Sequence, residues 1–324
     1  MLKFKYGLLL FALGSVQIVK AESCPDYDSL AQLPHFELPE QVNFSHSSNT
    51  WLSGIYSPYH VVHDQIILAN ETVTIMAKFD YSRWFHKDLE DEKVHAYIYG
   101  SGMTQWQYLG AYITDSDGKI FVPVQKSEGE YQLRMVVEGD LSSVNGYLSV
   151  VSGNRKAVLF DIDGTLTLND FESVGDYLGV DKADPHYYAK ETVTAYKNKG
   201  YQIIYLTGRP YWIAKDSREW FDYMGLPQGQ LHTDPYGDGP IPENTQAYKT
   251  QYLNKLIQDK SIDFVRAYGN AKTDIAAYAD AGISVDETYI IGENAGMDGT
   301  QPIYGDYSYH YSDKVANFAE LNCD

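Results

Sequence analysis

Hydrophobic and polar positions alternate differently in the two halves of the chain, and the change marks its architecture. Residues 22–58 are polar, carry Pro and Ser, and show no period; they read as an extended lead-in. From residue 61, short apolar and β-branched runs recur at 61–68, 72–79, 94–99, 108–113, 120–124, 131–137 and 147–151. About seven short strands with turns between them predict an antiparallel β-sandwich over 59–152. Asp115-Ser-Asp-Gly118 predicts a hairpin turn between two of these strands. After 153 the period changes. Apolar runs at 157–160, 202–206, 264–268 and 289–291 alternate with helical stretches at 188–198, through Met224, at 245–258 and after Asp274. Strands alternating with helices predict a parallel, doubly wound α/β sheet over 153–324.

The strand at 157–160 ends in Asp161 and Asp163, followed by Gly164. Alternate strand residues share a face, so both carboxylates point from the carboxyl end of a buried strand, where open α/β sheets bind ligands. Two such carboxylates repel each other unless a proton or cation lies between them. This suggests Mg²⁺ together with nucleophilic or acid/base work. Asp and Gly are also ordinary turn residues, so the pair decides little alone. Three further clusters fall at strand ends or helix starts of the same unit. Thr207 and Gly208 offer a hydroxyl and backbone N–H groups at an expected helix N-terminus. Lys249 lies early in a helix. Asn270 and Asp274 stand one helical turn apart.

In this order the clusters resemble the four motifs of the haloacid dehalogenase superfamily. Asp161-Ile-Asp-Gly-Thr-Leu-Thr-Leu-Asn-Asp170 resembles the catalytic motif of lipins, the phosphatidate phosphatases. Tyr205-Leu-Thr-Gly-Arg-Pro210, Leu226-Pro-Gln-Gly229, Tyr268-Gly-Asn270 and Thr288-Tyr-Ile-Ile-Gly292 resemble the LNS2 domain that closes large phosphatidylinositol-transfer proteins. The likeness covers about residues 155–295 and implies a haloacid dehalogenase-like Rossmannoid domain. The preceding sandwich is similar to the immunoglobulin-like module found beside such domains.

The resemblance implies a set of roles. Asp161 would be the nucleophile, forming an aspartyl-phosphate, and Asp163 the acid/base. Thr207 and Lys249 would hold the phosphoryl group, with Thr165, Gly208, Arg209 and Asn270 binding substrate. Asp161, Asp163 and Asp274 would hold Mg²⁺. Lipins share the Asn at 270, where many relatives have Asp. Some transfer-protein LNS2 domains lack the first Asp and sense phosphatidate without cleaving it. The segments between motifs leave no room for a large cap, so the site is open. The expectation is an Mg²⁺-dependent phosphatase for phosphatidate or a related lipid phosphate, with peripheral membrane contact. Two alternatives stand beside it: a non-catalytic lipid-phosphate-binding module, and a phosphatase for soluble phosphomonoesters.

The amino terminus adds a localisation. Lys3 and Lys5 precede an apolar run at 6–19 too short to span a bilayer comfortably. With Val19-Lys20-Ala21 it reads as a cleaved signal peptide, residues 1–21, of a secreted or periplasmic protein. Cys24 and Cys323 are the two cysteines, and in an exported chain an even pair suggests a disulfide; two unpaired thiols are the alternative. Asn43 and Asn70 fit the glycosylation pattern of a eukaryotic secreted protein. The net charge of −19 argues against nucleic acid, which needs Lys and Arg against its phosphates. It otherwise serves solubility. Trp51, Trp84 and Trp106 are expected at packing interfaces. Nothing in the sequence sets the oligomeric state.

Overall fold

A computed structural model describes residues 23–82, 85–168, 183–234 and 242–323. The expected signal peptide, Trp84 and the last two residues of the first motif lie outside them.

The first half forms two facing sheets. Strands β1 (Val61–Val62), β3 (Thr72–Lys78) and β8 (Lys119–Gln125) make one. The other runs β2 (Gln65–Leu68), β10 (Ser143–Val151), β9 (Gly129–Val137), β6 (Lys93–Gly100) and β7 (Gln107–Ile113). A small ribbon, β4 (Asp80–Tyr81) with β5 (Lys87–Asp88), lies beside them. Alternation builds the core: in β8, Ile120, Val122 and Val124 are buried while Phe121, Pro123 and Gln125 face out.

Three local expectations are corrected. The run at 61–68 is two strands in different sheets, because Asp64 between them is buried against Arg218 of the second half. The turn at Asp115–Gly118 is tight, with Gly118 N–H donating to Asp115 C=O at 3.0 Å. It joins β7 to β8 across the two sheets, so it is an arch and not a hairpin. The lead-in contains helix α1 (Ser47–Ile55). The approach to it is anchored from afar: Ser45 and His46 N–H, just before the helix, donate to the Glu92 carboxylate at 2.9 and 3.0 Å. No local pattern encodes that anchor.

The second half is a six-stranded parallel sheet of β11 (Arg155–Phe160), β12 (Gln202–Pro210), β13 (Gln230–Asp234), β14 (Ile262–Gly269), β15 (Thr288–Ile291) and β16 (Gln301–Ile303). Its order is β13-β12-β11-β14-β15-β16. Helices α2 (Ala189–Asn198), α3 (Ala214–Met224), α4 (Thr245–Lys260), α5 (Lys272–Asp280) and the short α6 (Tyr307–His310) accompany it. β13 and β16 escape the sequence pattern. The first is mostly polar, and the second is a three-residue edge strand bearing a proline. Both faces of the sheet are apolar, so β11 and β12 read as continuous buried runs. The chain builds outward from β11 through β12 to β13, then returns to the other side of β11 with β14. The carboxyl ends of β11, β12 and β14 therefore meet where the winding reverses, the usual ligand crevice of such sheets.

Candidate functional site

Asp161 and Asp163 lie directly beyond β11, and both are buried. Asp161 is fixed at the backbone by its N–H donating to Tyr268 C=O of β14 at 3.0 Å. One oxygen accepts from Thr165 Oγ1 at 2.9 Å and the other from Lys249 Nζ at 2.8 Å. Lys249, one turn into α4 and also buried, donates as well to Asp274 Oδ1 at 2.6 Å. The second Asp274 oxygen accepts from the backbone N–H groups of Asn270 and Ala271, each at 3.1 Å. Gly269 is required here, since a Cβ would sit 2.7 Å from Asp274 Cβ. Burial pushes the Asp161 carboxyl well above the usual carboxylate range, against the opposing pull of Lys249.

Asp163 belongs to a second group. Arg209 Nε and Nη2 donate to its two oxygens at 2.8 and 2.6 Å. Thr207 Oγ1 lies 3.3 Å from the same carboxylate. Within the first group, Thr165 Oγ1 is also 3.2 Å from Asn270 Oδ1. Thr207, Gly208 and Arg209 are buried within β12, and α3 starts only at Ala214, so the helix N-terminus expected at Thr207 is not there. The structure thus gathers Asp161, Asp163, Thr165, Thr207, Arg209, Lys249, Asn270 and Asp274 at one crevice. Gly164, at φ 68°, and Asn270 are its half-exposed members.

Four supports have no sequence signal. Ser217 Oγ of α3 accepts from Arg209 Nη1 at 2.8 Å. The Tyr307 hydroxyl donates to Thr165 C=O at 3.0 Å. His186 Nε2 is 3.3 Å from Gly164 C=O, and Asn294 Nδ2 donates to Asn270 C=O at 2.8 Å. The last three reach across 22 to 142 residues of sequence, and none of the four sits in a motif.

Three carboxylates are hard oxygen donors of the type Mg²⁺ takes. In this structure each of the three is paired with a cation of the chain. Lys249 stands between Asp161 and Asp274, and Arg209 occupies both oxygens of Asp163. Among the described residues, no group of three or more His, Cys, Asp or Glu is placed to hold a metal ion.

Residues 158–292 match the family model of the LNS2 domain of PITM 1-3, and residues 58–150 that of the PITM 1-3 beta-sandwich domain. The chain carries an LNS2-type domain. Protein retinal degeneration B of Drosophila melanogaster is 31% identical over 241 residues, covering 72% of this chain and 18% of that protein. Human membrane-associated phosphatidylinositol transfer protein 1 is 29% identical over 240 residues, with the same coverages of 72% and 18%. Human membrane-associated phosphatidylinositol transfer protein 3 is 28% identical over 239 residues, covering 72% and 23%. This LNS2 chain therefore spans less than a quarter of the length of these relatives. Among solved structures, apo phosphoserine phosphatase is 17% identical, covering 42% of this chain and 86% of that one, at a TM-score of 0.30, too remote to inform function.

These relatives correct two expectations. The two human relatives are named as phosphatidylinositol transfer proteins and none of the three as a hydrolase, which overturns the Mg²⁺-dependent phosphatase with an aspartyl-phosphate intermediate. In this structure both oxygens of the expected acid/base, Asp163, accept from the Arg209 guanidinium. The secreted or periplasmic localisation is corrected likewise. Where the relatives' names state a location it is membrane-associated, and none is named as secreted.

Proposed function

We propose that this LNS2 chain is a non-catalytic module that binds a lipid phosphate of the phosphatidate class at a membrane surface. The observation that carries the reading is the pair of buried cations, Lys249 and Arg209, at the carboxyl ends of the parallel strands. Each is held by carboxylates, so a phosphomonoester can enter by exchanging for an acid partner and not by recruiting a new cation. Asp161 holds the Lys249 ammonium at the crevice, 2.8 Å from one of its oxygens. Thr165 and Thr207 add hydroxyl donors, Asn270 an amide and Gly208 close backbone approach. Relatives named as membrane-associated phosphatidylinositol transfer proteins support both a lipid ligand and peripheral membrane contact.

The strand order around β11 supports a haloacid dehalogenase-like Rossmannoid fold for residues 153–324, and the two facing sheets an immunoglobulin-like sandwich for 59–152. Among the described residues no helix is long and apolar enough to cross a membrane.

The test is co-sedimentation of the chain with vesicles of phosphatidylcholine, with and without phosphatidate, while inorganic phosphate is monitored. Phosphatidate-dependent sedimentation without phosphate release is expected, lost in Lys249→Met. Equal sedimentation with both vesicles would overturn the proposal.

A further inference from the structure

A cleft of about 250 Å³ lies between the two domains, away from the strand-end crevice. Val61 and Val62 of β1, His63 beside them, Leu231 and His232 of β13, and Arg218 of α3 contribute to its walls. Its size falls just below the ~300–1,000 Å³ usual for small-molecule sites, which limits an occupant to a single small ring.

The charges of the cleft are already matched. Arg218 is paired with Asp64, and Lys215 Nζ lies 3.9 Å from Glu219. Asp222 Oδ1 accepts from Gln228 Nε2 at 2.6 Å and adds a further negative charge. An anion entering here would meet no unmatched cation and one excess carboxylate, which disfavours phosphate.

The unspent polar capacity is uncharged. Among the described residues neither the His63 nor the His232 imidazole makes a hydrogen bond, although His63 N–H donates to Met76 C=O at 3.1 Å. Burial holds their imidazoles down to about 4 and about 3, so each is neutral, with one nitrogen to donate and one to accept. His232 is also fixed in place, its ring lying flat on Tyr252 with centroids 3.5 Å apart and 4° between planes. The valines and Leu231 supply an apolar floor.

We propose that this cleft is a second binding site, for a small neutral polyhydroxylated ring such as a cyclitol or a monosaccharide. Hydroxyl groups donate and accept equally, as the two imidazoles require, and the C–H face of the ring lies on the apolar floor. The ligand touches strands of the sandwich and elements of the LNS2 domain together, so it ties the two domains and stabilises the folded chain by mass action.

The experiment is a calorimetric titration of the full chain with myo-inositol, D-glucose and inorganic phosphate, with Tm recorded in parallel. Saturable binding of either polyol with a rise in Tm is expected, the responding compound identifying the cyclitol or the sugar. His232→Phe keeps the stacked ring and removes the hydrogen bonds, and should weaken binding about tenfold or more. Asn145→Trp, at an exposed position on the rim, should block entry without touching the core. Phosphatidate-vesicle binding should survive both changes, which separates this site from the first. Absence of polyol binding, binding of phosphate alone, or polyol binding unchanged in Asn145→Trp would overturn the proposal.

Discussion

Arg209 holds both oxygens of Asp163 in a planar fork, at 2.8 and 2.6 Å, with Ser217 bracing the far side of the guanidinium. A lysine at this position would keep the charge and lose the fork. Arg209→Lys is therefore expected to fold, to lose roughly 1–3 kcal/mol of stability as one charge-assisted bond disappears, and to bind phosphatidate vesicles more weakly. Arg209→Ala leaves Asp163 buried and unpaired and should cost about 3–5 kcal/mol. Urea unfolding and vesicle sedimentation read the two effects. Undiminished sedimentation of Arg209→Lys would remove Arg209 from the binding site.

Lys249 bridges Asp161 and Asp274, at 2.8 and 2.6 Å. If the ammonium supplies the counter-charge for a phosphate, sedimentation with phosphatidate should be the same in EDTA as in Mg²⁺. A strict Mg²⁺ requirement would mean that the ion displaces Lys249 and that the donor set rearranges. In Lys249→Met the two carboxylates face each other without their cation. A stability loss of about 3–5 kcal/mol is expected, partly relieved at low pH as the carboxylates take up protons.

The strand-end chemistry was legible because the motifs are short and local: Asp161, Asp163, Thr207, Lys249, Asn270 and Asp274 announce themselves within a few residues of an apolar run. The alternating periods likewise separated the sandwich from the parallel sheet. What escaped depends on partners far along the chain. The approach to helix α1 is anchored by Glu92, the run at 61–68 is broken by an ion pair with Arg218, and Thr207 belongs to a strand that runs four residues beyond its apolar stretch. Function was misread for a related reason. Motif residues state which groups are present, but not that Arg209 would occupy the one expected to move protons.

Glu130 gives a pH prediction at the domain boundary. It is buried in β9, accepts from Ser149, and lies 3.1 Å from Arg155 Nη1, with Arg155 also bonded to Gln202 at 3.0 Å. Burial raises its carboxyl from 4.5 to about 7, against the pull of Arg155. The folded chain then holds this proton more tightly than the unfolded chain. The stability it contributes is present at low pH and is lost as pH rises from about 4.5 to about 7, by at most about 3 kcal/mol. Glu130→Gln removes the titration. Plotted against pH, its stability minus that of the native chain should rise over this window and flatten above it. A constant difference would mean that Glu130 titrates normally.

Cys24 and Cys323 form a disulfide that joins the two ends of the described chain across 299 residues. It fulfils the pairing expected from the even cysteine count. A cross-link closing so long a loop removes much of the unfolded chain's freedom, about 6 kcal/mol in the entropic limit and commonly less. The bond packs against Gly200, whose φ of +86° suits glycine, and where a Cβ would lie 2.6 Å from Cys323 Sγ. Double replacement of the cysteines by serine should lower Tm by several degrees while vesicle binding persists, because the strand-end crevice shares no residue with this corner. Gly200→Ala should lower Tm too, through backbone strain as well as contact with the sulfur. Much of its cost should therefore remain in the cysteine-free chain, and calorimetry of the four proteins in the cycle measures that remainder. Full disappearance of the Gly200→Ala cost without the disulfide would show that the sulfur contact, and not the left-handed backbone, requires glycine there.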